Sequence, residues 1–251
     1  MIRSFAFILL SLALTGCGSS AKKKPVTAVE TVAPQSSLNE IPVDSLRYKI
    51  IELLKDEWVF FGQQKVVIEQ AEESIPHVGI WEDDDLAHSE RINQYWRTVG
   101  MSRLSGMDCR QPWSAAFISW VMREAGVPNY LFPSAPSHRD YLSHIISVGR
   151  GNPEASFIPH TIQEYKPKPA DLICANRGTG YFGEVAEELP SSLNAKLHCD
   201  IVVHVDGRNL QAIGGNVRNS VSKSLLTLSP DGYLQLTQHR PWFLIIENRL
   251  D

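Results

Sequence analysis

The chain has 251 residues, 43% hydrophobic and 21% charged, with a formal net charge of −4. That composition supports one sizeable core and excludes a disordered, highly charged chain. No basic excess marks a nucleic-acid surface, so no nucleic-acid partner is expected, and the sequence has no internal repeat.

The first residues carry one positive charge at Arg3 and an apolar run from Phe5 to Leu14, then Thr15-Gly16-Cys17. A spanning helix needs roughly 20 apolar residues, about twice this run, so the segment reads as an export signal. Leu14-Thr15-Gly16-Cys17 resembles the bacterial lipobox. That resemblance implies cleavage before Cys17 and acylation of Cys17, which makes the lipid bilayer a partner. Gly18-Ser19-Ser20 follows with no Asp, a pattern similar to outer-membrane sorting, with the protein facing the periplasm. Residues 17–42, which include Lys22-Lys23-Lys24-Pro25 and Ala33-Pro34-Gln35-Ser36-Ser37, read as a solvated tether. The expected organisation is a signal at 1–16, a tether at 17–42 and a folded domain at 43–251.

Within the domain, Asp44-Ser45 can cap a helix beginning near Leu46. Ile50, Leu53, Leu54, Trp58 and Phe61 follow at helical spacing, and Gly62 ends or interrupts it. Asp83-Asp84-Asp85 reads as a loop or helix start, since nothing nearby completes a cation cage. A second helix is expected over 89–99. A third covers 112–126, with Pro112 suited to the first turn and Gly126 to the stop. Ser137-His138-Arg139-Asp140-Tyr141 opens another. Beyond Pro169 the pattern changes to strands at 171–175 and 198–205, with a long loop at 176–197 between them. Asp206-Gly207 turns into a partner strand at 210–213, which Gly214-Gly215-Asn216 is expected to end. Pro230-Asp231-Gly232 is expected to turn a second hairpin, and 242–246 is the last strand. Helices first and strands later predict an α+β fold, with N-terminal helices packed on an antiparallel β-sheet.

Four cysteines occur, Cys17, Cys109, Cys174 and Cys199. With Cys17 acylated, at least one of the other three stays free, and one disulfide among them is allowed in an oxidising compartment. Their spacing fits no zinc pattern, so no metal is expected. Period-two alternation puts Cys199, Ile201, Val203 and Val205 on an apolar face, and His198, Asp200, Val202 and His204 on the other. His138 and His204 read as surface or hydrogen-bonding residues.

Trp113-Ser114-Ala115-Ala116-Phe117-Ile118-Ser119-Trp120, a Pro-x-Asp strand at Pro169-Ala170-Asp171 and the His198-led strand together resemble the papain-like cell-wall peptidases of the NlpC and CHAP types. More closely, the chain is similar to domain of unknown function 2272. The likeness runs from about Trp58 to Leu250 and is most specific at 112–126, 169–174, 198–203 and 213–221. It implies a papain-like NlpC/CHAP-type fold. In the CHAP pattern a cysteine opens the helix; here Ser114 holds that position. The family histidine maps to His198 and the third polar residue to Asn216.

What the resemblance implies is acyl transfer. The helix N-terminus favours a developing anion, histidine takes the proton, and an amide or carboxylate holds its tautomer. A hydroxyl is far less acidic than a thiol, so Ser114 needs His198 well oriented, by Asn216 or Asp200. Cys109, five residues upstream of Ser114, is the alternative nucleophile. The backbone N–H of Ala115 would face the oxyanion, and Trp113 would line a substrate groove. No cofactor is implied, and the expected partner is the stem peptide of peptidoglycan. The serine for cysteine exchange also admits an inactive module that binds wall peptide or an envelope protein.

Overall fold

Ser45 accepts a hydrogen bond from the Tyr48 N–H and starts α1 (Leu46–Phe60), which buries Ile50, Ile51, Leu54 and Glu57 along one side. The structure, a computed structural model, describes residues 41–69, 72–109, 111–177 and 196–251. The expected signal, Cys17 and nearly all of the expected tether lie outside the described residues, as does most of the expected 176–197 loop. Ile41, at the end of the expected tether, is buried in the main core. All described residues belong to the compact unit Pro34–Asp251.

The next two elements went unread in the sequence. β1 (Gln64–Glu69) buries Gln64, Val66 and Ile68 on alternate positions, and β2 (Glu72–His77) is a largely exposed partner. Asp85 caps α2 (Leu86–Thr98) by accepting from the His88 N–H, three residues earlier than expected. A short 3-10 turn at Gly106–Asp108 leads to α3 (Ser114–Glu124), in which Ser114 through Met122 are all buried. This helix is the centre of the fold, and Gly126 ends it at φ +90°, a left-handed conformation that glycine adopts without strain. Ser137 caps α4 (His138–Gly149).

The remaining strands are β3 (Phe157–Thr161), β4 (Leu172–Asn176), β5 (Leu197–Asp206), β6 (Asn209–Val217), β7 (Ser220–Thr227) and β8 (Trp242–Asn248). They join β1 and β2 in one eight-stranded sheet of order β2-β1-β7-β6-β5-β4-β8-β3. The edge strands β2 and β3 carry Pro76 and Pro159, where a missing N–H costs no ladder bond. The fold is therefore α+β, but the sheet is mixed rather than antiparallel: β1 runs parallel to β7, from Gln64↔Ser222 to Ile68↔Leu226. A parallel pair between segments so far apart in sequence leaves no turn signal to read.

Two turn expectations are corrected. Gly214-Gly215-Asn216 does not end a strand; β6 continues to Val217, and the turn falls at Arg218-Asn219, both at positive φ. Pro230-Asp231-Gly232 turns the chain but makes no hairpin, because β7 pairs with β6 and β1 whereas β8 pairs with β4 and β3. The central strands of the sheet are buried on both faces. One carries Cys199, Ile201 and Val203 against the helices, the other Val202, Ala212 and Ile173 against Leu228, Leu234 and Ile162.

Candidate functional site

Ser114 is the first residue of α3. Trp113 before it provides no side-chain cap, so the first N–H groups of the helix are left for another acceptor. His198 lies near the start of β5, and the strand's period of two puts Asp200 on the same side. Ser114 Oγ lies 3.0 Å from His198 Nδ1, and His198 Nε2 lies 2.7 Å from Asp200 Oδ1. Asp200 is wholly buried, and His198 and Ser114 are nearly so. In the familiar serine triad the nucleophile meets Nε2 and the acid meets Nδ1; here the two nitrogens are exchanged.

A second histidine reaches the same hydroxyl. His138 Nε2 is 2.9 Å from Ser114 Oγ, and its Nδ1 is hydrogen-bonded to the Tyr141 hydroxyl. His138 opens α4 as Ser114 opens α3, so two helix starts meet here. Ser119 Oγ links them, donating to the Ala135 carbonyl and accepting from its N–H, both at 3.1 Å. From the sequence His138 is expected to have only a surface or hydrogen-bonding role. The available signal was its position after a capping Ser137, with Tyr141 three residues on along the same helix face.

Asp200 is held from its far side. Its Oδ2 accepts from Ser224 Oγ at 2.8 Å and lies 3.7 Å from Arg240 Nη1, and Arg240 is in turn paired with Glu73 at 3.3 Å. Burial alone would raise the Asp200 pKa. His198, Arg240 and Ser224 outweigh it and hold the carboxyl below its ordinary value. Burial lowers His198, Asp200 opposes this, and Arg240 and Arg177 add to the lowering, which leaves the net direction downward. Burial, then the charges of His198 and Arg177, set His138 well below the imidazole range.

These states fix the direction of every hydrogen bond. Ionised Asp200 has no proton, so His198 Nε2 carries one and Nδ1 accepts. Ser114 then donates to His198 and accepts from His138 Nε2–H, and Tyr141 donates to His138 Nδ1. The chain runs one way, from Tyr141 through His138, Ser114 and His198 to Asp200.

The depressed histidines give a stability prediction. The unfolded chain takes up protons near the ordinary pKa of 6.5, while the folded chain resists them to lower pH. Below about 6.5 the unfolded state therefore binds more protons at these two rings, and their contribution to stability falls as pH falls. Asp171, which burial pushes up to about 7, contributes in the opposite sense, so the rings are read directly: NMR titration of the folded chain should show His138 and His198 protonating only below about pH 6.5, and a ring that is charged at pH 7 contradicts this assignment.

Gly214 faces Asp200 across the β5–β6 ladder. A Cβ at Gly214 would overlap Asp200 Oδ1 and come within 3.3 Å of His198 Nε2, and one at Gly215 would lie 2.6 Å from Phe117 and the Trp113 ring. These glycines allow close approach of the strand to the site rather than ending it. Gly214→Ala should lower stability by about 1–3 kcal/mol through overpacking, read by denaturant titration. An unchanged midpoint would show that Asp200 has room to move.

The other sequence candidates separate. Asn216 makes no hydrogen bond with His198 among the described residues; its amide reaches Glu82 Oε2 at 3.5 Å, so Asp200 holds the orienting position. Asn216 shares with His198 only the lining of a small hollow. Cys109 sits in the loop before α3 with Sγ near the Gly106 and Met107 carbonyls, at 3.8 and 3.9 Å. Desolvation, then its hydrogen bond with Asp83 and the charges of Glu82 and Asp83, push its thiol up to about 12. Cys109 is thus neither beside His198 nor ready to ionise. Trp113 does not line a groove: it is buried against Phe61, Tyr95 and Phe117 and donates to Glu82. Ala115 does line the cleft that reaches Ser114, which has a volume of 640 Å³. Cys174 and Cys199, directly opposite on β4 and β5, form a disulfide.

The family model described as "Uncharacterized protein conserved in bacteria (DUF2272)" matches residues 80–247. No curated protein and no solved structure matches the chain. The matched stretch begins just before Glu82 and takes in Ser114, His138, Tyr141, His198, Asp200 and Arg240, leaving out α1 and the first two strands. With about two thirds of its length under that one match, the chain belongs to the DUF2272 family.

Proposed function

We propose that this protein is a lipid-anchored hydrolase of the bacterial envelope that cuts an amide bond in peptidoglycan stem peptides through Ser114. The reading rests on one observation, the one-way hydrogen-bond chain in which Ser114 Oγ is 3.0 Å from His198 Nδ1 and His198 Nε2 is 2.7 Å from Asp200. A nucleophile at a helix start, a histidine at a strand start and a strand-borne acid are what the likeness to papain-like NlpC and CHAP enzymes implies, with serine for cysteine. The likeness of Leu14-Thr15-Gly16-Cys17 to a lipobox supports a position beside the wall polymer, at the outer membrane and facing the periplasm.

Ser114 Oγ attacks the amide carbon while His198 Nδ1 takes its proton, and ionised Asp200 stabilises the imidazolium. The oxyanion of the tetrahedral intermediate faces the uncapped N–H groups at the start of α3, among them that of Ala115. His198 then protonates the leaving amine, and water reverses the steps on the acyl-serine. His138 keeps an N–H on Oγ, which aims the hydroxyl proton at His198 rather than elsewhere. The test is incubation of the intact chain with muropeptides, read by mass spectrometry. A new free amine and carboxylate within one stem peptide supports the enzyme, and binding without turnover at any pH from 6 to 8 leaves the wall-binding module instead.

A further inference from the structure

The positive charge of a chain whose net charge is −4 gathers at this site. The 640 Å³ cleft that reaches Ser114 is lined by Arg139, Arg177 and Lys196 and, among the described residues, by no carboxylate. A second hollow of 230 Å³ reaches His198 and is lined by Arg177, Arg218 and Arg240. Its one described carboxylate, Glu73, is already paired with Arg218 at 2.7 Å and with Arg240 at 3.3 Å. Arg177 lines both spaces, one of which reaches Ser114 and the other His198.

The Arg177 backbone is held in place. It follows β4, and its N–H donates to the Lys196 carbonyl at 2.6 Å, which binds two of the cationic residues together at the backbone. Among the described residues no carboxylate pairs with Arg177 or Lys196, and Arg139 meets Asp140 only at 3.9 Å on the surface. Arg177 is partly desolvated and repelled by Arg240, and its charge is felt at both His138 and His198. A desolvated guanidinium beside another is costly unless an anion joins them. Guanidinium forks fit carboxylates in two-point contacts.

We infer that the cleft at Ser114 takes an acidic peptide, with Arg177 holding a substrate carboxylate next to the scissile bond and Arg139 and Lys196 receiving a second one. The peptide nature of this ligand rests on the hydrolase reading above. The carboxylate at Arg177 would also screen the guanidinium from His198, so a charged substrate makes its own base more basic. A neutral analogue lacks this effect as well as the contact.

The experiment uses the intact Ser114→Ala chain, which binds without turnover, and two probes. One is a disaccharide-tetrapeptide with free carboxylates; the other is the same molecule with its carboxylates converted to methylamides. Calorimetry should give at least about tenfold tighter binding of the acid, the size of one charge-assisted hydrogen bond. Adding Arg177→Gln should cut that preference at least about threefold, the remainder resting on Arg139 and Lys196, and Arg177→Lys should cut it too, since an ammonium cannot make the two-point contact. Equal affinities, no binding of either probe, or a preference unchanged by Arg177→Gln overturns the inference. Turnover by the unsubstituted chain is scored separately. Failure to cut with the preference intact removes the hydrolase and leaves the anion groove; cutting of both probes alike does the reverse.

Discussion

Ser114→Ala is expected to lower muropeptide hydrolysis by about 10⁴-fold or more, His198→Ala to do the same, and the double substitution to cost no more than either. In the proposed hydrolysis the two groups act in one event. Without Oγ there is no acyl-serine for His198 to serve, and without His198 the buried hydroxyl has no acceptor for its proton at neutral pH. Initial rates of the intact chain and its three variants, read by product mass, check this. Losses that multiply in the double variant would mean two separate contributions and no shared step. Ser114→Ala also leaves the His138 N–H without its acceptor in a buried position, at a cost of about 1–3 kcal/mol, so the variant should melt earlier while remaining folded.

Asp200→Asn is the second large effect, and its direction follows from what surrounds the carboxylate. Oδ2 faces two donors, Ser224 Oγ and Arg240 Nη1. An asparagine there turns its oxygen towards those donors and its NH2 towards His198 Nε2. His198 must then accept at Nε2 and carry its proton on Nδ1, facing Ser114. The serine proton loses its acceptor, and turnover should fall by about 10⁴-fold although the shape of the site is kept. Nitrogen NMR of the His198 ring reads the tautomer directly: protonated Nε2 in the parent chain, protonated Nδ1 in Asp200→Asn. A variant that keeps its rate within about tenfold would show that Asp200 holds structure and not the tautomer. Arg240 would retain Glu73, so the variant should stay folded.

Part of the site was legible from local chemistry. Pro112 and Gly126 frame α3, Ser137 caps α4, and the alternation along β5 sets His198 and Asp200 on one side. Each is a statement about neighbouring residues, and the structure keeps each within a few positions. The reading faltered where two residues on one strand need a third element to bring them into contact. Asp200 touches His198 because Gly214, on the adjacent strand, leaves room for the carboxylate and Ser224 and Arg240 anchor its far side. On the strand alone, residues two apart point the same way without having to touch, which favours Asn216 over Asp200 as the orienter; in the fold Asn216 turns to Glu82. Trp113 beside the nucleophile position suggested a groove wall, but Glu82, 31 residues away, gives its indole N–H a buried partner and makes it core.

The sequence by itself determined the α+β class, the helix that presents Ser114, the strand that carries His198 and Asp200, and the likeness to DUF2272. These follow from capping residues, turn residues and periodicity, which act over a few positions along the chain. Tertiary structure alone decided that β1 lies parallel to β7, that Cys174 pairs with Cys199, and that His138 and Tyr141 join the site. It also decided that Arg177 stands between two hollows with no described carboxylate beside it. Those outcomes depend on contacts between distant segments, and such contacts are selected by packing and charge in the folded core, where no local pattern records them.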